Sequence, residues 1–391
     1  MGIIELSGLR LRRGRRQVLD DWNLTVESGE VVVLSGENGC GKSTVIEAAA
    51  GLLALEEGSS TISGQLIRDH QGRRGRTHFG LCLQDDCIMG DELVEERLLD
   101  VAGHSFDVKS LLREWDIDHR ANDRVAMLSG GQRRRIAVLS GLLPAMLSSK
   151  PVAILLDEPD SGLDDASVER LAILLRNLAA GGHSILVASH DERIKGAADR
   201  LISFPFEEEK FSRPVGEFSQ IKFSSQRNSF IGLRMTARTL VGFANNGIAG
   251  ILVLGAMLAL IDSSILEGNL KTAYILAPSL AAGLCGDPMF RLLQENRSHA
   301  WWRAMKAIPP SGLSAVFVGT TILTIFASAS INHFDMTIIV AGGILGVFTA
   351  GCVGLLSHAT LSLSRPNAVM IRLLTPLLIL PWSLVVDRLT Q

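Results

Sequence analysis

The sequence predicts two fold classes in series: an α/β domain on a largely parallel sheet, then an all-α polytopic transmembrane domain of about five helices. Three observations carry this reading. Charge is unevenly divided: residues 230–391 hold ten Lys/Arg and six Asp/Glu, about 10% of that stretch, while the first 229 hold 28 basic and 35 acidic residues, about 28%. Short apolar runs in the front half alternate with helix-period segments, as buried parallel strands do with their covering helices. The back half contains five apolar stretches, each near the ~20 residues a helix needs to cross a ~30 Å hydrocarbon core.

In chain order, residues 3–11 alternate as a strand would, and 12–16 make a basic turn. A second strand-like stretch ends at Gly29-Glu30, and Val31–Ser35 begins a short buried strand. A glycine-rich loop follows and opens into a helix at 43–50. Residues 152–156 and 184–189 are further apolar strands, and 168–179 has a helical period. The first domain is expected over 1–205 and a linker over 206–229, where charge, Ser and Pro replace any sustained apolar period. The transmembrane domain is expected over 230–391, with spans near 242–261, 274–290, 312–331, 336–356 and 369–386. The second span is the weakest, with Pro278, Asp287 and Pro288 in it or at its edge.

Loop charge orients these spans. Arg227, Arg234 and Arg238 precede the first; Arg291, Arg297, Arg303 and Lys306 lie between the second and third; Arg365 and Arg372 flank the passage to the fifth. The opposite loops hold Asp262, Glu267, Lys271 and Asp335. Positive charge concentrates on the side of the soluble domain, which predicts a cell (cytoplasmic) membrane protein with a cytoplasmic N-terminus. The N-terminal MGIIELSGLRLRRGRR lacks the apolar core and cleavage site of a signal peptide, which agrees.

Composition removes other classes. A chain 47% hydrophobic and 20% charged is neither disordered nor collagen-like. Cys40, Cys82, Cys87, Cys285 and Cys352 show no CxxC or Cys/His metal spacing and read as reduced thiols. A net charge of −3 gives a nucleic-acid partner no support.

The chemistry begins at Gly36-Glu37-Asn38-Gly39-Cys40-Gly41-Lys42-Ser43-Thr44, a full G-x-x-x-x-G-K-[ST] match between a strand and a helix. Its glycines let backbone N–H groups turn inward around phosphate oxygens, and the helix N-terminus adds positive potential. Lys42 is placed to reach β- and γ-phosphates and Ser43 to ligate Mg²⁺. The apolar strand at 152–156 ends in Asp157 and Glu158, where ligands gather on parallel sheets. Asp157 is expected to hold Mg²⁺ and Glu158 to polarise the attacking water. A lone acidic pair after a strand is ordinarily a solvated strand end; the phosphate loop changes that reading.

Between these motifs, Leu128-Ser129-Gly130-Gly131-Gln132 matches the signature of ATP-binding cassette (ABC) ATPases, and residues 3–205 resemble that family. Gln84 matches its glutamine loop, which senses Mg²⁺ and the membrane subunit. Asp164, in Ser161-Gly162-Leu163-Asp164, matches the loop that crosses between two ATPase domains. His190 matches the switch histidine that contacts the γ-phosphate. The resemblance implies ATP and Mg²⁺ as cofactors and an ATPase with Glu158, His190 and Gln84 as catalytic residues. It places Ser43, Gln84 and Asp157 at the metal. Gly36 through Thr44, Ser129, Gly130, Gly131, Gln132 and Asp164 would bind nucleotide. It also implies head-to-tail pairing, as a homodimer or with a second half-transporter. The family's adenine-stacking aromatic is replaced here by Arg12, Arg13 and Gly14, and Gly162 stands where alanine is common.

A charged amphipathic stretch at 291–310, RLLQENRSHAWWRAMKAIPP, resembles the coupling element of type-2 ABC exporter permeases, with Trp301 and Trp302 expected as interfacial anchors. The last span, from Ser364-Arg365-Pro366 to Pro381-Trp382, looks like the permease of the cytochrome c maturation haem exporter, and the ATPase half resembles that system's ATP-binding subunit. The implied cargo is haem or a haem chaperone, although that permease has six spans. His299, His333 and His358 read as ordinary polar histidines. The competing expectations are an exporter of lipid, glycan, peptide or drug, and an ATPase that signals across the membrane without moving a solute.

Overall fold

The computed structural model describes residues 3–75, 77–204, 207–226, 240–262, 265–295, 297–306, 311–361 and 375–390. The chain divides into two compact units. The first comprises Met1–Ser229 together with Asn296–Pro309, and the second Phe230–Glu295 with Pro310–Gln391.

In the first unit the strands are β1 (Ile4–Arg13), β2 (Arg16–Val26), β3 (Val31–Ser35), β4 (Glu57–Ile62), β5 (Gln65–Asp69), β6 (Gly80–Cys82), β7 (His104–Phe106), β8 (Ala153–Asp157), β9 (Ser184–Ala188), β10 (Arg200–Ser203), β11 (Glu207–Lys210) and β12 (Phe223–Gln226). Its helices are α1 (Lys42–Ala49), α2 (Val94–Ala102), α3 (Val108–Glu114), α4 (Gly130–Met146), α5 (Asp165–Ala180) and α6 (Glu192–Gly196). A six-stranded sheet runs β11-β10-β3-β9-β8-β6, parallel except for the edge strand β11. A four-stranded antiparallel sheet runs β2-β1-β4-β5.

The central strands are apolar on both faces because both faces are covered: Val31 to Leu34, Ile154 to Leu156 and Ile185 to Ala188 are wholly buried. Helix starts are fixed by side chains. Asp164 caps α5 by accepting from Ser167 N at 3.1 Å. Ser129 and Gln132 cap α4 reciprocally, Ser129 Oγ accepting from Gln132 N and Gln132 Oε1 from Ser129 N.

Two expectations change. The basic segment 12–16 is mostly strand: β1 runs to Arg13 and β2 starts at Arg16, leaving Gly14 in the left-handed region at the tip. The stretch 206–229, expected as linker, contributes β11, paired with β10, and β12, paired with β7.

The second unit is helical: α7 (Leu240–Leu260), α8 (Gly268–Leu284), α9 (Pro288–Glu295), α11 (Leu313–Ser330), α12 (Met336–Leu361) and α13 (Ile379–Thr390). Between α9 and α11 the chain forms α10 (Ser298–Lys306), which belongs to the first unit. Among the described residues, two helical stretches are long and apolar enough to cross a membrane, Leu313–Ser330 and Met336–Ser357; Ala244–Leu260 is a shorter apolar stretch. Five crossing helices are thus not shown among the described residues. The second stretch is a 17-residue helix holding Pro278, and the end of the fifth is a 12-residue helix carrying Asp387 and Arg388. Arg227, Arg234, Arg238, Arg365, Arg372 and residues 369–374 of the fifth stretch lie outside the described residues.

Inside this unit the polar groups face one another. Asn246 Nδ2 donates to Ala282 O at 2.8 Å and Gly286 O at 2.9 Å, and Ser279 Oγ lies 2.7 Å from Thr324 Oγ1 and donates to Thr320 O. Val318, Ile322, Phe326, Ile344 and Phe348 are exposed. The interior also holds Ile275, Leu276, Ile338, Leu345 and Trp382, so it is the large apolar side chains left outside that depart from a water-soluble bundle.

Candidate functional site

The phosphate loop links β3 to α1. Gly41 has φ +126° and an added Cβ would stand 2.7 Å from Val18 Cγ1; Gly36 has φ +135° and would meet Phe204 and Cys40 at 3.1 Å. Both turns therefore require glycine. Lys42 is buried and folded across its own loop, Nζ donating to Gly36 O at 2.8 Å and Glu37 O at 3.1 Å. Its ammonium stands within the curve of backbone that the motif builds.

Ser43 Oγ donates to Asp157 Oδ1 at 2.9 Å, joining the start of α1 to the end of β8. Asp157 is 1% exposed. Burial pushes its carboxyl up to about 6; the Ser43 hydrogen bond opposes this, while the charges of Glu158 and Glu47 add to it. Glu158 follows with φ +46°, a strained conformation for this residue type. Its Oε2 accepts from Gln84 Nε2 at 3.2 Å. The structure thus gathers Lys42, Ser43, Asp157, Glu158 and Gln84.

Other expected residues have different hydrogen-bond partners. Ser129 and Gln132 bond to each other at the start of α4. Asp164 accepts from Arg135 at 2.9 Å, and the Ser167 hydrogen bond, with Arg135, holds its carboxyl below the usual range. His190 is exposed after β9, with no hydrogen bond to its ring among the described residues. At the adenine position, Arg12 Nε donates to Gln17 Oε1 at 3.0 Å, and Arg13 pairs with Glu47.

Three features escaped sequence reasoning. Arg134, 4% exposed, donates to Leu83 O (2.8 Å), Gln84 O (3.1 Å), Asp157 O (3.1 Å) and Glu158 O (2.6 Å). One guanidinium thereby sets the spacing between the glutamine loop and the paired acids. The available signal was geometric: Arg133, Arg134 and Arg135 are consecutive on a helix at 100° intervals, so they cannot all face solvent. Second, Glu47 is buried on α1 and pairs with both Arg13 and Arg297. Third, Trp301 and Trp302 are not interfacial anchors. Both are buried in the first unit, where Trp301 Nε1 donates to Leu81 O at 2.8 Å and the Arg97 guanidinium lies over both rings. An indole with a hydrogen-bond partner and a cation on its face is satisfied away from any interface.

Comparison with known proteins agrees with this geometry. The ABC transporter family model matches residues 19–161. The macrolide export ATP-binding/permease protein MacB of Psychrobacter arcticus is 29% identical over 233 residues, 55% of this chain and 34% of that protein. An uncharacterized ABC transporter ATP-binding protein of Rhizobium meliloti is 32% identical over 201 residues, 49% of this chain and 73% of that protein. The Nod factor export ATP-binding protein I of Rhizobium leguminosarum is 33% identical over 208 residues, 51% of this chain and 65% of that protein. The chain spans about a third of the length of the macrolide exporter it matches. None of these three names speaks of haem, so the narrower likeness to the cytochrome c maturation exporter gains no support from them. The chain belongs to the ABC transporter family, and its first unit is an ABC ATPase domain that binds and hydrolyses ATP.

Proposed function

We propose that this chain is half of an ATP-driven exporter: the first unit, residues 1–229 with 296–309, hydrolyses ATP, and the rest of 230–391 is the permease in a cell membrane, with the ATPase on the cytoplasmic side. The observation that carries the reading is the 2.9 Å contact of Ser43 Oγ with Asp157, which joins the phosphate loop to the paired acids.

The residues fit Mg²⁺. Ser43 and Asp157 offer hard oxygen donors side by side, and Asp157 is a buried carboxylate that a dication would favour as the anion. Gln84 would complete the protein's share of ligands. When bound, the ion would neutralise charge on the β- and γ-phosphate oxygens. Lys42 would exchange its own loop carbonyls for those oxygens. Glu158 orients the attacking water and accepts its proton as oxygen bonds to the γ-phosphorus and the bond to the bridging oxygen breaks, leaving ADP and phosphate. His190 would contact the γ-phosphate.

Gly130 and Gly131 open α4, and the first-turn N–H groups and positive end of a helix suit an anionic phosphate. This supports a pair in which Ser129, Gly130 and Gly131 of one chain close on ATP held by Lys42 of another, and Asp164 lies at the crossing. A homodimer is the simplest form; a second half-transporter is the other. The exposed apolar side chains on α11 and α12 support a lipid-facing permease. The macrolide and Nod factor relatives favour export.

The test uses purified chain in lipid vesicles, with Mg²⁺-dependent phosphate release and ATP-driven uptake of a labelled macrolide by inside-out vesicles. Expected are turnover by the parent, none by Lys42→Ala, and uptake only with ATP. Absence of turnover in the parent overturns the reading. Turnover without uptake of a macrolide, lipid or glycan panel overturns the export part and favours a signalling ATPase.

A further inference from the structure

Glu47 lies one turn beyond Ser43 on α1, and its side chain is only 6% exposed. A buried carboxylate needs compensating charge, and two cations reach it from different parts of the sequence. Arg13 comes from the β1–β2 hairpin, at the position where the nucleotide base is expected. Arg297 comes from residues 296–309, and its Nη2 donates to Glu47 Oε1 at 2.6 Å. The other arm of Arg297 lies 3.5 Å from Asp85, next to Gln84. Arg297 itself holds φ +55°, a conformation that a residue with a side chain keeps only where its surroundings impose it. The negative neighbour is Asp157, which feels the Glu47 charge.

Residues 296–309 belong to the first unit, although the chain on both sides of them, up to Glu295 and from Pro310, belongs to the second. This segment is therefore joined covalently to the second unit at both ends. We propose that the Arg13–Glu47–Arg297 cluster is an electrostatic switch through which residues 296–309 set the affinity of the phosphate loop for MgATP. With Arg297 in place, Glu47 is neutralised and the loop keeps its attraction for a polyanion. With Arg297 withdrawn, an under-compensated carboxylate stands one turn from Ser43 at the end of the phosphate loop, repels phosphate and draws more strongly on Arg13. Arg297 and Glu47 are thus positioning residues: neither touches the reacting atoms, and both act through α1.

This inference rests on the ATPase reading above, and its test separates the two. In the full chain, KM and kcat for MgATP are measured for the parent, Arg297→Ala, Arg297→Lys, Glu47→Gln and the double variant Arg297→Ala/Glu47→Gln. Arg297→Ala is expected to raise KM about fivefold or more, the lower end of ordinary coupling between sites, with kcat within about twofold. Arg297→Lys, which keeps the charge, stays within about twofold of the parent. The double variant is expected to match Glu47→Gln alone, because Arg297 has nothing to neutralise once Glu47 is uncharged. An unchanged KM in Arg297→Ala, or effects that multiply in the double variant, overturns the switch. A parent without turnover overturns the ATPase reading instead. Binding of a fluorescent ATP analogue gives the same comparison for any variant whose turnover is too low to fit.

Discussion

Arg97 lies with its guanidinium carbon 4.0 Å from the centre of the Trp301 ring, and neither residue is more than 2% exposed. Arg97 also pairs with Glu92 at 3.2 Å, and both are out of water. A buried cation is thus shared between an anion 5 positions earlier and an indole 204 positions later. Breaking such a pair from one side leaves a bare buried charge and costs about 3–5 kcal/mol. Arg97→Ala should lower stability by that order, whereas Arg97→Met with Glu92→Gln should recover most of it. Thermal or denaturant unfolding of the two variants decides this.

Trp301 contributes separately. Trp301→Phe removes the hydrogen bond to Leu81 O but keeps most of the ring, and should cost about 1 kcal/mol. Trp301→Ala opens a cavity and should cost about 3–5 kcal/mol. Equal losses in the two variants would show that the hydrogen bond, not the ring, carries the interaction.

Glu158→Gln should retain ATP binding and lower turnover by about 100-fold or more, the usual scale of a lost general base. ATP should then accumulate on a long-lived pair of chains, detectable by light scattering. Parent-like turnover in this variant would remove Glu158 from the role proposed for it.

Arg134 bonds four carbonyl oxygens on two loops. Arg134→Met leaves these acceptors without their charged donor and should lower stability by about 2–4 kcal/mol. Turnover should fall more than ATP affinity, since the glutamine loop and the paired acids lose their common spacer. A variant that weakens binding and leaves kcat intact would contradict this.

His183 predicts an acid limit. Its Nδ1 accepts from Val152 N at 3.1 Å, so protonating that nitrogen breaks the bond, and burial drives the imidazole down to about 4. The native state resists a proton that the unfolded chain takes up near 6.5, so no stability is lost above that pH. Below it, stability should decline by up to about 1.4 kcal/mol per pH unit until about pH 4. His183→Gln should flatten this slope, as measured by denaturant midpoints across that range.

The parallel strands were legible because β3, β8 and β9 are unbroken apolar runs, buried on both faces. The loop at Gly36 to Thr44 was legible because its chemistry is local, with three glycines, Lys42 and Ser43 inside nine positions. Glu47 was not, since its significance comes from Arg297, 250 residues away. Arg134 hid in a run of like charges, and Trp301 read as a membrane-surface residue because the partner that satisfies it is Leu81 O, a group no side-chain pattern reveals. In the back half, hydropathy counts apolar length but not helix ends, and the stretch 274–290 runs from α8, which ends at Leu284, into α9, which starts at Pro288.

The insertion of residues 296–309 into the first unit constrains dissection of the gene. A fragment ending at the apparent boundary near Ser229 would lack the two indoles that close over Arg97, leaving a wet cleft with an arginine at its floor. Such a truncated enzyme should be sticky and hard to purify unless a peptide bearing α10 is supplied with it, or grafted on by a short tether.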